Sequence, residues 1–261
     1  TMRNTGTNRT YSATTNNTGS YVVPNLTPGQ YELSISFTGF SKYVKSVEVS
    51  VGQTATVNAA LAIAGTEQQV TVTDVASLIE PTRTEVSQVI DSEQISSLPV
   101  SGRLFTDFAL LTPGVATGRT SLGTVVTEFE VTQISFGGQR SFSNIITVDG
   151  ADFTNVLSGV QRATPPQEAV AEFRVVNNSF GTEYGRAVGG IVNVVTKSGT
   201  NDIHGSVYEY LQNSATNARS LPQPKGAPFA LRQNQFGGTL GGPLKKDQAF
   251  FFLNYEGVRR G

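Results

Sequence analysis

The chain has 261 residues, 38% of them hydrophobic and only 15% charged, with a formal net charge of −1 and no cysteine. That balance excludes a disulfide scaffold and thiolate metal sites, and it gives no electrostatic pull toward nucleic acid. No apolar run approaches the ~20 residues that a membrane helix needs, so a membrane role would require strands.

The opening TMRNTGTNRTYS lacks the apolar core of a signal peptide. Residues 1–64 then show period-2 alternation. Tyr31, Leu33, Ile35 and Phe37 alternate with Glu32, Ser34 and Ser36, predicting a strand with one buried face. Val47, Val49 and Val51 repeat the pattern, as do Ala55, Val57, Ala59 and Leu61. Turns such as NNTGS, TPGQ and VGQ separate them, which suggests a small β-sandwich. Residues 65–80 read as a linker. Its core QVTVTD (Gln69, Val70, Thr71, Val72, Thr73, Asp74) is either a strand waiting for a partner or one more sandwich strand.

Residues 81–199 mix short strands and helices in an α+β pattern. TEVSQVI alternates as a strand, and DSEQISSLP offers Asp91 or Ser92 as N-cap of a short helix stopped by Pro99. Ser101 could cap a second helix carrying Leu104, Phe105, Phe108 and Leu111 at helical spacing, ended by TPG. ISFGGQRSFSNIITVDGADF reads as two strands around the Gly137-Gly138 turn, with Asp149-Gly150 closing a hairpin. PPQEAVAEFRVVNN gives a short helix start and a strand. GTEYGRAVGGIVNVVTKSG gives a glycine-rich loop and a β-branched strand. Residues 200–261 hold aromatic-rich alternating segments of ~10 residues, the signature of transmembrane β-strands. A long polar loop, SATNARSLPQPKGAP, lies on one side and the short turn PLKKDQ on the other. The aromatics Tyr208, Tyr210, Phe250, Phe251, Phe252 and Tyr255 are expected on a lipid-facing surface.

Chemical motifs are sparse. Lys197-Ser198 follows Thr196 and precedes Gly199, the wrong order for a phosphate loop, and a strand follows where a helix is needed. A Ser-Lys nucleophile fails because neighbours on a turn point apart. His204 is the sole histidine, and a lone histidine is more often an interfacial side chain than a ligand. Asp149 and Asp152 lack the fuller oxygen set that calcium wants, so an Asp-Gly turn is the simpler reading. No enzyme activity, cofactor or metal is expected.

GSYVVPNLTPGQYELSISFTGF followed by VEVSVGQTATVNAAL resembles the carboxypeptidase-regulatory-like, transthyretin-type Ig-like domain, whose members usually have one more strand upstream. The resemblance implies no peptidase activity, since a zinc peptidase needs several ligands around an open metal position. ISFGGQRSFSNIITVDGADF and GRAVGGIVNVVTKSGTNDIHGS resemble the plug of a TonB-dependent outer-membrane receptor, and NQFGGTLGGPLKKDQAFFFLNYEGVRR its early barrel strands in the Oar-like branch. The plug-motif residues are Gly137, Gly138, Asp149, Gly150, Gly189, Gly190, Asn193 and Lys197.

The resemblance implies a mainly β chain in four parts. These are an Ig-like sandwich (1–64), a linker (65–80) whose stretch Glu67 to Asp74, with core Gln69 to Asp74, is the candidate TonB box, an α+β plug (81–199), and the first strands of an incomplete transmembrane barrel (200–261). Ile191 to Val195 would be the last plug strand, Thr196 to Asn201 the hinge, and His204 to Gln212 the first wall strand. Implied partners are a TonB-type energy-transducing protein in the periplasm, a nutrient of unknown identity and outer-membrane lipid, with no nucleic acid. The implied location is the outer membrane of a Gram-negative bacterium, with plug and Ig-like domain on the periplasmic side. Such transporters have ~22 strands, so the chain is expected to be a fragment that does not transport by itself. The alternative is a non-transporting surface binding or adhesion protein built from β modules.

Overall fold

The computed structural model describes residues 1–64, 71–72, 86–98, 100, 103–117, 134–140, 143–153, 165–177, 180–182, 184–216 and 232–260. The chain divides into two compact units, Thr1–Lys197 and Ser198–Gly261.

In the first unit, β1 (Met2–Asn4), β2 (Thr10–Tyr11), β3 (Gly29–Ile35), β4 (Tyr43–Val49) and β5 (Thr71–Val72) form a sheet in the order β2-β1-β3-β4-β5. All pairs are antiparallel except β4 with β5. Alternation sets its faces: Tyr31, Leu33, Val47 and Val49 are buried, while Glu32 lies on the other side within reach of Arg3 at 3.3 Å. Phe37 falls beyond the strand and is exposed. The expected strand over Ala55–Leu61 has no ladder of its own. Its alternation still holds, because Val57, Ala59 and Leu61 pack on the core with Tyr21, Val23 and Leu26. Tyr21 donates to the Val57 carbonyl at 3.0 Å, tying the two covering segments together.

A second sheet uses β6 (Val86–Ile90), β9 (Ile145–Val148), β10 (Ala151–Asp152), β11 (Val170–Asn177) and β12 (Gly190–Thr196), in the order β10-β9-β12-β11-β6. The β9–β12 pair is parallel and the others antiparallel. Phe173, Val175, Val192 and Val194 are each 0% exposed and share one face with Ile146 and Val148. On that face sit α1 (Ser92–Ser97) and a 3-10 helix, Phe105–Leu111, supplying Ile95, Phe105 and Phe108. Phe105 and Phe173 meet edge-on at 5.5 Å.

Helix α1 starts as the sequence predicts. Asp91 accepts from the Gln94 N–H at 2.8 Å, and the Gln94 side chain accepts from the Asp91 N–H, a reciprocal capping box. The second helix is 3-10 rather than α and has no side-chain cap; Ser101 and Pro99 lie outside the described residues. The strands flanking Gly137-Gly138 do not pair with each other. β7 (Val115–Thr117) takes β8 (Ile134–Phe136), while β9 joins β12. The glycine turn therefore redirects the chain between sheets.

The second unit is an antiparallel meander of β13 (His204–Asn213), β14 (Arg232–Lys245) and β15 (Ala249–Arg260), in that order. Asp247 turns the β14–β15 hairpin at φ 64. Among the described residues no helix is long and apolar enough to cross a bilayer.

Candidate functional site

Three places carry the candidate residues: the plug sheet, the segment before it and the wall strands. In the plug sheet, glycines are required by close approach. A Cβ on Gly190 would lie 2.3 Å from the Phe136 ring, and one on Gly189 would lie 2.3 Å from the Asn144 amide oxygen. Asn144 is buried between them and uses both ends. It donates to the Ile134 carbonyl at 2.5 Å and accepts from the Gly190 N–H at 3.2 Å. Sequence reasoning missed it, although its place beside IITVDG was a signal.

Asn193 accepts from Thr147 across the parallel pair at 3.0 Å. Asp149 and Gly150 both have positive φ, which suits the tight β9–β10 hairpin. The Asp149 carboxylate then holds the end of β12, accepting from the Thr196 N–H at 2.9 Å and its hydroxyl at 2.8 Å. Lys197 contributes its backbone N–H to the Ala169 carbonyl at 2.8 Å. Gly137 and Gly138 have positive φ and open space around them. The motif residues thus converge on β12 and its two ends, apart from the Gly137-Gly138 turn.

Of the candidate TonB box, Thr71 and Val72 form β5 on the edge of the sandwich sheet, Thr71 opposite Val44 and Val72 opposite Lys45. Gln69, Val70, Thr73 and Asp74 lie outside the described residues.

A polar clamp joins sandwich and plug, and no local signal foretold it. Glu172 and Arg174 alternate onto the β11 face away from the plug core. Arg174 is 1% exposed and donates to the Gly52 carbonyl at 2.5 Å and the Ser87 hydroxyl at 2.6 Å. Glu172 accepts from the Val51 N–H. Burial pushes the Glu172 carboxyl up to about 7; Glu48 and Asp91 add to the rise and the Val51 N–H opposes it. These contacts at both terminal nitrogens offset part of the cost of burying the guanidinium.

The wall strands separate two faces by register. One carries Val207, Leu211, Phe236, Leu240, Phe251, Leu253 and Tyr255, with Glu209, Asn234 and Arg259 toward one end of it. The other carries Ser206, Tyr208, Gln235, Thr239, Asn254 and Glu256. Polar side chains meet across the second: Ser206 with Thr239 at 2.9 Å, Tyr208 with Glu256 at 3.0 Å, and Arg260 with Gln233 at 2.8 Å. The apolar face is left bare, Val207 93% and Leu211 75% exposed. This corrects the expected aromatic surface: Tyr208, Tyr210, Phe250 and Phe252 lie on the polar face, opposite Tyr255 and Phe251. Composition marks aromatics, but only register assigns their side. His204 sits at the start of β13 near the Asp202 carbonyl, 3.0 Å away, with Thr200 at 3.4 Å. Among the described residues no group of three or more metal-ligating side chains is gathered.

A sheet-centred plug joined to strands with one apolar and one polar face defines an outer-membrane receptor type of protein. Family models agree at both ends: a carboxypeptidase regulatory-like domain matches residues 1–62 and an outer membrane beta barrel domain matches 195–261. The TonB-dependent transporter Oar of Myxococcus xanthus is 28% identical over 253 residues, 91% of this chain. A probable TonB-dependent siderophore receptor, PirA of Acinetobacter baumannii, is 30% identical over 64% of the chain. The crystal structure of that siderophore receptor PirA superposes with a TM-score of 0.50 at 29% identity, covering 66% of this chain and 24% of the receptor. The chain is a relative of the TonB-dependent outer-membrane receptors, which places it in the outer membrane of a Gram-negative cell. It spans about a quarter of the length of these relatives, 23% and 22% of the two sequences.

Proposed function

We propose that the chain is the sandwich, plug and first wall strands of a receptor that binds a nutrient and imports it with energy relayed from the inner membrane. A TonB-type protein in the periplasm is the partner, and the segment Glu67–Asp74 is the coupling box it takes up as an added strand. The sandwich and plug face the periplasm in this reading, and the chain performs no catalysis.

The observation that supports it most is the seam. The last plug strand, β12, ends at Thr196, and within eight residues the chain enters β13, where apolar side chains turn outward. A soluble sheet would bury that face; a barrel wall presents it to lipid. The names of the relatives include a siderophore receptor. The nutrient itself is chosen by outer loops and plug apices, so the class stays at nutrient.

Deleting Glu67–Asp74 from the full-length receptor tests the coupling. Growth on the transported nutrient should fall to that of a strain lacking the partner, while ligand binding at the cell surface persists. Unchanged energised uptake would remove this segment from the account.

A further inference from the structure

The pairing of β5 assigns a role to the sandwich domain. Thr71–Val72 lies parallel on β4, whose opposite edge is taken along its whole length by β3. β4 is itself fixed to the plug. It runs through Val49 into the Val51–Gly52 turn, where Glu172 and Arg174 of β11 hold the backbone N–H and carbonyl. We propose that the sandwich is a retaining dock for the coupling segment: β4 holds Thr71–Val72 on the edge of the sandwich sheet until the energy-transducing protein strips it away. This rests on the coupling reading above and adds the competitor that the partner must displace.

The physics is strand competition. An extended segment gives affinity through its backbone amides and carbonyls, and β4 already engages one edge of it. The contact is short, only two residue pairs, so exchange is accessible. If nine-tenths of molecules hold the segment docked, the partner's apparent affinity drops about tenfold. Release also changes reach. Fully extended, the stretch from Val72 to Val86 spans roughly 45–50 Å at ~3.3–3.6 Å per residue. A docked segment stays beside the sandwich; a freed one can be drawn far from the plug before tension reaches β6. The sandwich therefore sets when coupling begins, and the clamp makes the plug the reference point for that threshold.

The chain contains no cysteine, so a reversible lock can be installed. Val44→Cys and Thr71→Cys occupy paired positions on neighbouring strands, a spacing that a disulfide spans. The experiment uses the full-length receptor cleared of other cysteines and the soluble periplasmic domain of the cell's own TonB-type protein as probe. Oxidation should close the disulfide and cut capture of the probe at least tenfold, with recovery on adding reductant. The Val44→Cys variant alone should be indifferent to oxidation. Equal capture by the locked and reduced forms would overturn the dock, as would failure of the disulfide to form. If Glu67–Asp74 deletion abolishes capture while the lock does not, the box stands and the dock falls. If deletion leaves capture intact, the box reading fails first.

Discussion

The plug sheet and the wall meander use the same device with opposite outcomes. In β11 and β12 every second side chain is apolar, and Phe173, Val175, Val192 and Val194 are wholly buried. In β13 to β15 every second side chain is again largely apolar, yet Val207, Leu211, Leu253 and Tyr255 stand exposed. Alternation fixes only that two faces differ; what covers the apolar face is a separate question. In the plug it is helix and loop from the same chain. In the wall nothing among the described residues covers it, as the proposed barrel requires.

This contrast can be attacked directly. Phe173→Ala should destabilise the plug by about 3–5 kcal/mol, because it empties the space beside Phe105. Val207→Ala should change stability in detergent-free water by no more than about 0.5 kcal/mol, since there is little burial to lose. Denaturant midpoints of the two variants measure both, and similar losses would erase the distinction. In a bilayer the wall becomes sensitive. Val207→Lys should cost about 2–4 kcal/mol of insertion stability if it lies near the bilayer midplane. Ser206→Lys, on the opposite face, should cost far less in the same reversible-insertion assay.

A smaller effect sharpens the plug side. The Glu172 carboxyl is raised to about 7 in the folded protein from an ordinary value near 4.5. The folded state thus binds the proton more tightly than the unfolded one. Stability from this group is full below about pH 4.5 and is lost as pH rises through about 7. Glu172→Gln keeps an oxygen for the Val51 N–H and removes the charge. It should flatten that slope and stabilise the protein at pH 8 by on the order of 1–2 kcal/mol, allowing for partial access of water. Thermal unfolding at pH 5 and pH 8 reads the difference; parallel shifts at both pH values would assign the clamp no such titration.

Local patterns were legible wherever the partner is close in sequence. The Asp91–Gln94 capping box, the Asp149-Gly150 hairpin and the β-branched run of β12 all follow from short-range chemistry. The two compact units divide at Lys197/Ser198, inside the Thr196–Asn201 stretch. What escaped depends on distant partners. Arg174 meets a carbonyl 122 residues away and a hydroxyl 87 residues away, so nothing beside it in the chain marks it. The alternation of QVTVTD announced strand character and left a place in the sandwich open, which Thr71–Val72 take beside β4; the parallel register was not legible. Val57, Ala59 and Leu61 alternate onto the core as expected, while Ala55 is exposed and the segment builds no ladder. Periodicity reports which side chains seek burial, not whether the backbone finds a neighbour.

The side of the wall that meets lipid is the measurement on which the account turns. Spin labels attached through Val207→Cys and Leu253→Cys, and through Ser206→Cys and Asn254→Cys, can be compared in the full-length receptor reconstituted into bilayers. Labels at 207 and 253 should be relaxed by lipid-dissolved oxygen, and those at 206 and 254 by a water-soluble nickel complex or by neither. Equal response on both faces, or lipid access at 206 and 254 alone, would contradict a barrel wall and with it the receptor.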